Sequence, residues 1–108
     1  MKSQETDIEN SISRATERII KGYSPEKIIM FGSCARGDCH EGSDLDLIII
    51  KDTKDDFLKR LDDVLDCCTG EIGVEPLVYT ESEINRMRIQ GNDFIETALE
   101  EGEVVYEK

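Results

Sequence analysis

The sequence predicts an α/β protein: a small mixed β-sheet flanked by helices. Three observations predict it. Ile28-Ile29-Met30-Phe31 and Leu45-Asp46-Leu47-Ile48-Ile49-Ile50 are apolar runs of strand length, too short for buried helices. Residues 72–80, Ile-Gly-Val-Glu-Pro-Leu-Val-Tyr-Thr, alternate and are β-branched. Between and around these runs, apolar residues return at helical spacing, beginning with Ile8, Ile12, Ala15 and Ile19.

Taken in order, Thr6-x-x-Glu9 reads as a capping box, so a first helix is expected over 6–21, ending near Gly22. Ser24-Pro25 is a turn, and the first strand covers 26–31. Gly32-Ser33 breaks the run and leads into a short helix over 33–38, then a loop over 39–43. A second strand covers 44–50. Thr53 is placed to cap a helix over 54–68, with Phe57, Leu61, Val64 or Leu65, and Cys68 inward, and with Thr69-Gly70 ending it. The third strand, 74–79, contains Pro76, which cannot donate to a ladder and so predicts an edge or a bulge. Thr80-x-x-Glu83 is a second capping box, opening a helix to Gln90. Asn92 caps a last helix through Glu100, Gly102 ends it, and Glu103–Tyr106 reads as a short terminal strand.

The chain has 108 residues, read as one domain over 1–108 with a modest core. Its net charge is −12. That balance argues against a surface that grips nucleic acid, because phosphate contacts need Lys and Arg. A nucleoside triphosphate would be repelled too, unless a cation accompanied it. No apolar run approaches the length of a membrane span and the first residues lack the apolar stretch of a signal peptide, so the cytoplasm is the default expectation. Neither Cys34 and Cys39 nor the adjacent Cys67 and Cys68 have C-x-x-C spacing. Free thiols are expected, with zinc binding by Cys34, Cys39 and His40 the less favoured alternative.

The chemistry concentrates between Phe31 and Ile50. Asp44 and Asp46 lie two apart at the head of an apolar strand, so their side chains share one face. Two carboxylates so close repel unless a cation sits between them, and Mg²⁺ suits an all-oxygen pair completed by phosphate oxygens. Gly32 lets a ligand approach the backbone, and Ser33 offers a hydroxyl and the amides of a helix start to an anion. Together these read as a site for Mg²⁺ and a nucleoside triphosphate. Glu75, between Val74 and Pro76 within a strand, is the candidate third carboxylate, with Glu71 as the fallback. Arg36 either reaches a phosphate or pairs with Asp38 or Glu41. His40 reads as surface, Tyr79 and Tyr106 as packing, and Lys51, Arg86 and Arg88 as solvated ends. There is no G-x-x-x-x-G-K-[ST] and no G-x-G-x-x-G.

Gly32-Ser33, ten intervening residues and Asp44-Leu45-Asp46 resemble the signature of the DNA polymerase beta-like nucleotidyltransferases. The Gly-Ser-Cys-Ala-Arg-Gly-Asp wording and the short length resemble the minimal nucleotidyltransferase branch. The resemblance implies a three-stranded core sheet, ATP as substrate, and Asp44, Asp46 and Glu75 as catalytic residues holding Mg²⁺, two ions in the full form. It also implies a phosphate cradle of Gly32 and Ser33. Glu75 departs from the family, where that position is more often Asp. Members of the branch accompany a HEPN-domain ribonuclease toxin and add AMP to a tyrosine hydroxyl of it. The resemblance therefore implies a protein adenylyltransferase acting as the antitoxin of such a pair. Two alternatives stand beside it: a non-catalytic nucleotide-binding antitoxin that blocks its toxin by contact, and a small-molecule nucleotidyltransferase needing a second subunit.

Overall fold

A computed structural model describes residues 3–40, 42, 44–68 and 72–108. Its elements run α1 (Ser3–Tyr23), β1 (Lys27–Phe31), β2 (Leu45–Ile50), α2 (Phe57–Cys67), β3 (Val74–Tyr79), α3 (Glu81–Ile89), α4 (Asp93–Glu101) and β4 (Glu103–Glu107). The four strands form one sheet in the order β3-β2-β1-β4. β1 is antiparallel to both its neighbours, whereas β2 and β3 are parallel. The parallel pair needs a crossover, and α2 supplies it. β4, the expected terminal strand, joins the sheet beside β1, so the sheet has one strand more than the three-stranded core that the resemblance implies.

The strands bury residues on both faces because helices cover both. On one face Ile28, Met30, Leu45, Leu47, Ile49 and Val78 pack with Ala15, Ile19 and Tyr23 of α1 and Val64 of α2. On the other, Ile29, Ile48 and Ile50 pack against Ile84 of α3 and Ile95 and Ala98 of α4. Ile19, Ile28, Leu47, Ile48, Ile49 and Ile95 are wholly buried. Each such side chain is worth about 1.5–3 kcal/mol of transfer free energy. Pro76 lies in β3, which is indeed an edge strand.

Local signals locate most boundaries. Thr80 and Glu83 make the reciprocal capping box of α3, Glu83 N to Thr80 Oγ1 at 3.1 Å and Thr80 N to Glu83 Oε1 at 2.8 Å. Asn92 caps α4, accepting from Ile95 N at 3.0 Å. Three expectations fail. α1 is already helical at Ser3, so Thr6 and Glu9 stand inside the helix and not at its start. α2 begins later than expected, because Asp56 rather than Thr53 accepts from an amide of the first turn, Lys59 N at 2.9 Å. Thr53 Oγ1 instead takes the amide of Asp55 at 3.1 Å, a local turn that delays the helix. The expected stop at Thr69-Gly70 falls outside the described residues.

The third failure concerns 33–38, which is a set of overlapping turns and not a helix. Ala35 N and Arg36 N reach Gly32 O, and Asp38 N returns to Ser33 O at 2.9 Å. Gly37, at φ 83°, turns the chain back where a helix would go forward. This reversal brings Cys34 and Cys39 together, with Cα atoms 4.2 Å apart, in a disulfide, which corrects the expectation of free thiols there. Cys67 and Cys68 are free, and burial raises both thiol pKa values. A thiol assay on the chain unfolded without reductant is expected to find two reactive sulfhydryls; four would refute the bridge.

Candidate active site

β1 ends at Phe31 and β2 begins at Leu45, so the turn after β1 and the approach to β2 lie side by side. Across this end of the sheet Asp46 stands opposite Phe31 on β1 and opposite Glu75 on β3. Residues directly opposite in a ladder share a face. Asp46 and Glu75 therefore meet on the α3/α4 face, and Asp44 precedes the strand two residues earlier on the same side. The meeting registers in the titration of Glu75. Its carboxyl is held above the ordinary glutamate range, first by a hydrogen bond to Asp44 and the Asp44 charge, then by the Asp46 charge. Asp44 and Glu75 are exposed and Asp46 is half-buried, so the cluster opens to solvent.

Two glycines make room for these acids. A Cβ on Gly32 would strike the Asp46 carboxylate, and Gly32 has φ 74°, a conformation that only glycine adopts without strain. A Cβ on Gly73 would lie 2.6 Å from Asp44 Oδ1. Leu45 N donates to Gly73 O at 2.7 Å, which ties the Asp44–Leu45 step to the strand bearing Glu75. Gly32 and Gly73 thus flank the acids from the two neighbouring chain segments.

The turn beside them differs from the anion cradle expected from the sequence. The amides of Ala35, Arg36, Gly37 and Asp38 all bond within the turn and so do not face a ligand. No helix starts at Ser33, and the backbone contribution expected from one is absent. What the turn offers is Gly32 and the partly exposed Ser33 at its opening. The disulfide holds the turn closed, with Cys34 buried and its Sγ 3.8 Å from the Asp44 carbonyl oxygen. Arg36 pairs with Asp38 at 3.8 Å, both largely exposed, a weak contact that leaves the guanidinium movable. Its other expected partner, Glu41, and the fallback acid Glu71 lie outside the described residues.

Three residues have roles that the sequence reading missed. Lys51, read as a solvated end, donates from Nζ to Tyr23 O at 2.5 Å and Ser24 O at 3.1 Å. It lies 4.9 Å from the centre of the Tyr23 ring and so closes the C-terminal end of α1. Arg60 is buried in α2, and Phe94 packs on Phe31. Arg88 pairs with Glu96 at 3.5 Å and stays on the surface. His40 is exposed. A groove of about 950 Å³ opens on the α1 face, over Met30 and Val105, and is separate from the acids.

Among the described residues, no group of three or more Asp, Glu, Cys or His side chains forms a ready-made cation cage. Zinc at Cys34, Cys39 and His40 is accordingly unsupported, and the two cysteines are consumed by their bridge. No described helix is long and apolar enough to cross a membrane.

Comparison with known proteins agrees with this fold. The family described as Polymerase beta, Nucleotidyltransferase matches residues 14–108. A protein of Methanocaldococcus jannaschii named "Putative protein adenylyltransferase MJ0604" is 39% identical over 84 residues, covering 75% of this chain and 78% of that protein. The crystal structure of a "putative nucleotidyltransferase" from Sulfolobus solfataricus superposes with a TM-score of 0.60 over 94% of this chain and 87% of the other. At 22% identity that likeness speaks for the fold. A four-stranded mixed sheet, an acid cluster at the Gly-Ser end of it and a family match over most of the length converge: the chain belongs to the Polymerase beta, Nucleotidyltransferase family.

Proposed function

We propose that this nucleotidyltransferase moves AMP from ATP to a hydroxyl of a protein, with Mg²⁺ as cofactor. The observation that carries the reading is the row across the strands that sets Asp46 against Glu75, with Asp44 beside them and the Gly32-Ser33 turn adjoining. Three acids drawn together in the open serve no packing purpose and repel one another. Their donor set is all oxygen, the glycines beside them make room for the carboxylates, and the acids do not enclose an ion unaided. This fits Mg²⁺, which prefers one or two carboxylates and takes its other ligands from water and phosphate.

Asp44 and Asp46 would hold Mg²⁺, with Glu75 sharing a second ion. When bound, the metal neutralises the triphosphate and steadies the attacking and leaving oxygens. Ser33 would bind the β- and γ-phosphates through its hydroxyl, and Gly32 would let them approach the backbone. Arg36, released from its weak pairing with Asp38, would reach the same phosphates. Glu75, on the edge strand β3 and open to solvent, would receive the proton of an incoming hydroxyl. An acceptor O–Pα bond forms, the Pα–O–Pβ bond breaks, and pyrophosphate leaves.

The openness of the acids supports a large acceptor, since no part of the described chain closes over them. The relative named as a protein adenylyltransferase supports the same choice. From the sequence resemblance we further propose that the acceptor is a tyrosine of a HEPN-domain toxin, which makes this chain its antitoxin. The experiment is to combine the chain, Mg-ATP and the protein encoded beside it, and to read intact masses. One AMP added to the partner supports the proposal. Addition to no protein, with label from α-³²P-ATP on a small molecule instead, overturns it.

Gly73→Ala gives a sharper check on the geometry. Gly73 is not in the left-handed region, so alanine costs the backbone little. The new methyl would displace the flexible Asp44 carboxylate instead. Stability should stay within about 0.5 kcal/mol of the parent by urea denaturation. Transfer should fall by about tenfold or more, because misplacing a reacting group by an ångström costs up to a hundredfold.

A further inference from the structure

Glu75, Asp46 and Phe31 stand in one row across β3, β2 and β1. Phe94, in the first turn of α4, continues the row. Its ring meets that of Phe31 edge to face, with centroids 5.6 Å apart and planes at 81°. The helix that carries it is firmly placed: Asn92 caps it, and Ile95 and Ala98 are buried against the sheet. Yet Phe94 itself keeps 48% of its surface exposed. A fixed, half-exposed aromatic ring beside open acids is poorly explained by core packing alone.

The acids and the Gly-Ser turn can serve only the charged part of a nucleotide. Its base needs a flat apolar surface within reach, and the chain's other rings are elsewhere. Tyr23, the last residue of α1, is buried on the opposite face of the sheet, and Tyr106 packs on that same face. Phe57 and Tyr79 pair at the opposite end of β3, where Tyr79 stands across from Ile50.

We propose that Phe94, backed by Phe31, is the stacking surface for the base of the bound nucleoside triphosphate. The inference rests on reading the acids as the triphosphate site. Phe31 holds the Phe94 ring from behind, so stacking costs little ordering of the protein. Because every base presents a π face, the surface favours large purine rings without choosing between adenine and guanine.

The test compares two ligands by calorimetry: Mg-ATP, which carries a base, and Mg-tripolyphosphate, which does not. Phe94→Ala is expected to weaken Mg-ATP about five- to tenfold, the lower part of the range for one stacked base. Mg-tripolyphosphate should bind the variant as it binds the parent. Phe94→Trp should keep or improve Mg-ATP affinity, and this second variant guards against a folding artefact in the first. Equal weakening of both ligands by Phe94→Ala, or none for Mg-ATP, would overturn the stacking role while leaving the acid site standing. A parent protein that binds neither ligand would remove the triphosphate reading and the stacking surface with it.

Discussion

Asp44→Asn combined with Asp46→Asn should abolish AMP transfer, by about a thousandfold or more, while the chain stays folded. The magnitude follows from what the two carboxylates are asked to do. Electrostatic groups aimed at developing charge are each worth about a hundred- to a thousandfold, and these two act on the same phosphate. The fold should tolerate the change for a separate reason. Asp44 is exposed and Asp46 half-buried, and the acid that they face, Glu75, is held protonated more readily because of them. Removing two negative charges from this cluster relieves repulsion, so the melting temperature should hold or rise. Labelled AMP on the acceptor and a thermal melt by circular dichroism measure the two effects. Transfer within tenfold of the parent would remove the aspartates from the chemistry. A collapsed melt would mean that they support the fold. Mg-ATP affinity should fall in the same variant, and ATP affinity that is equal with and without Mg²⁺ in the parent would contradict the metal reading.

That site was legible in the sequence as far as residue type and the two-residue period of a strand carry. An acid at 44 and at 46, at the head of an apolar run, can only share a face. What no local pattern contains is the partner across the sheet. Glu75 was singled out as an acid between Val74 and Pro76, but its meeting with Asp46 depends on the parallel register of β2 and β3, which a whole crossover helix determines. Phe94, proposed above as the stacking surface, carries no local signal for the same reason: only the packing of α4 on the sheet sets its ring against Phe31, which stands opposite Asp46.

The fold was legible where one residue decides a boundary. Thr80 with Glu83, Asn92 and Gly102 are such places, and the structure keeps all of them. It was not legible where several residues compete. Thr53, Asp55 and Asp56 can each accept an amide, and the choice of Asp56 follows from Thr53 having been used for the Asp55 amide. Likewise Ser33–Asp38 has the composition of a helix start. The reversal at Gly37 and the bridge from Cys34 to Cys39 are properties of the folded turn rather than of any stretch of sequence. Arg60 is the plainest case. Helical periodicity assigns charged residues outward, and burial of a guanidinium is tolerable only once its acceptors have been assembled.

Those acceptors come from the loop before α2, from β3 and from α3, and this makes Arg60 the residue whose loss should cost the fold most among the described polar ones. Its side chain is 8% exposed. Nε donates to Asp55 O at 2.9 Å, and Nη1 donates to Val78 O at 3.1 Å and to Glu83 Oε1 at 2.8 Å. Nη2 completes the fork on Glu83 Oε2 at 3.1 Å. Arg60 thereby reaches from α2 on one face, past the carbonyl of the edge strand β3, to α3 on the other. Arg60→Met keeps the apolar stem and removes every donor. It should cost about 2–3 kcal/mol, less than the 3–5 expected of a fully enclosed pair because Glu83 remains a third exposed. For a chain of this size that is a fall of roughly 8–20 °C in Tm. The same pair predicts a pH dependence. Arg60 holds the Glu83 carboxyl below the ordinary glutamate value of 4.5, an effect that burial partly opposes. A depressed folded-state pKa means that the unfolded chain takes up the proton first as pH falls. The stability contributed by Glu83 is therefore complete above about pH 4.5 and is lost as pH drops from there through its folded pKa. Glu83→Gln should lie below the parent in urea stability at pH 7, and the gap should narrow steadily on acidification below pH 4.5. A gap that stayed constant down to acid would show that folding does not depress the Glu83 pKa, and that neither the guanidinium nor the Thr80 amide favours its ionised form.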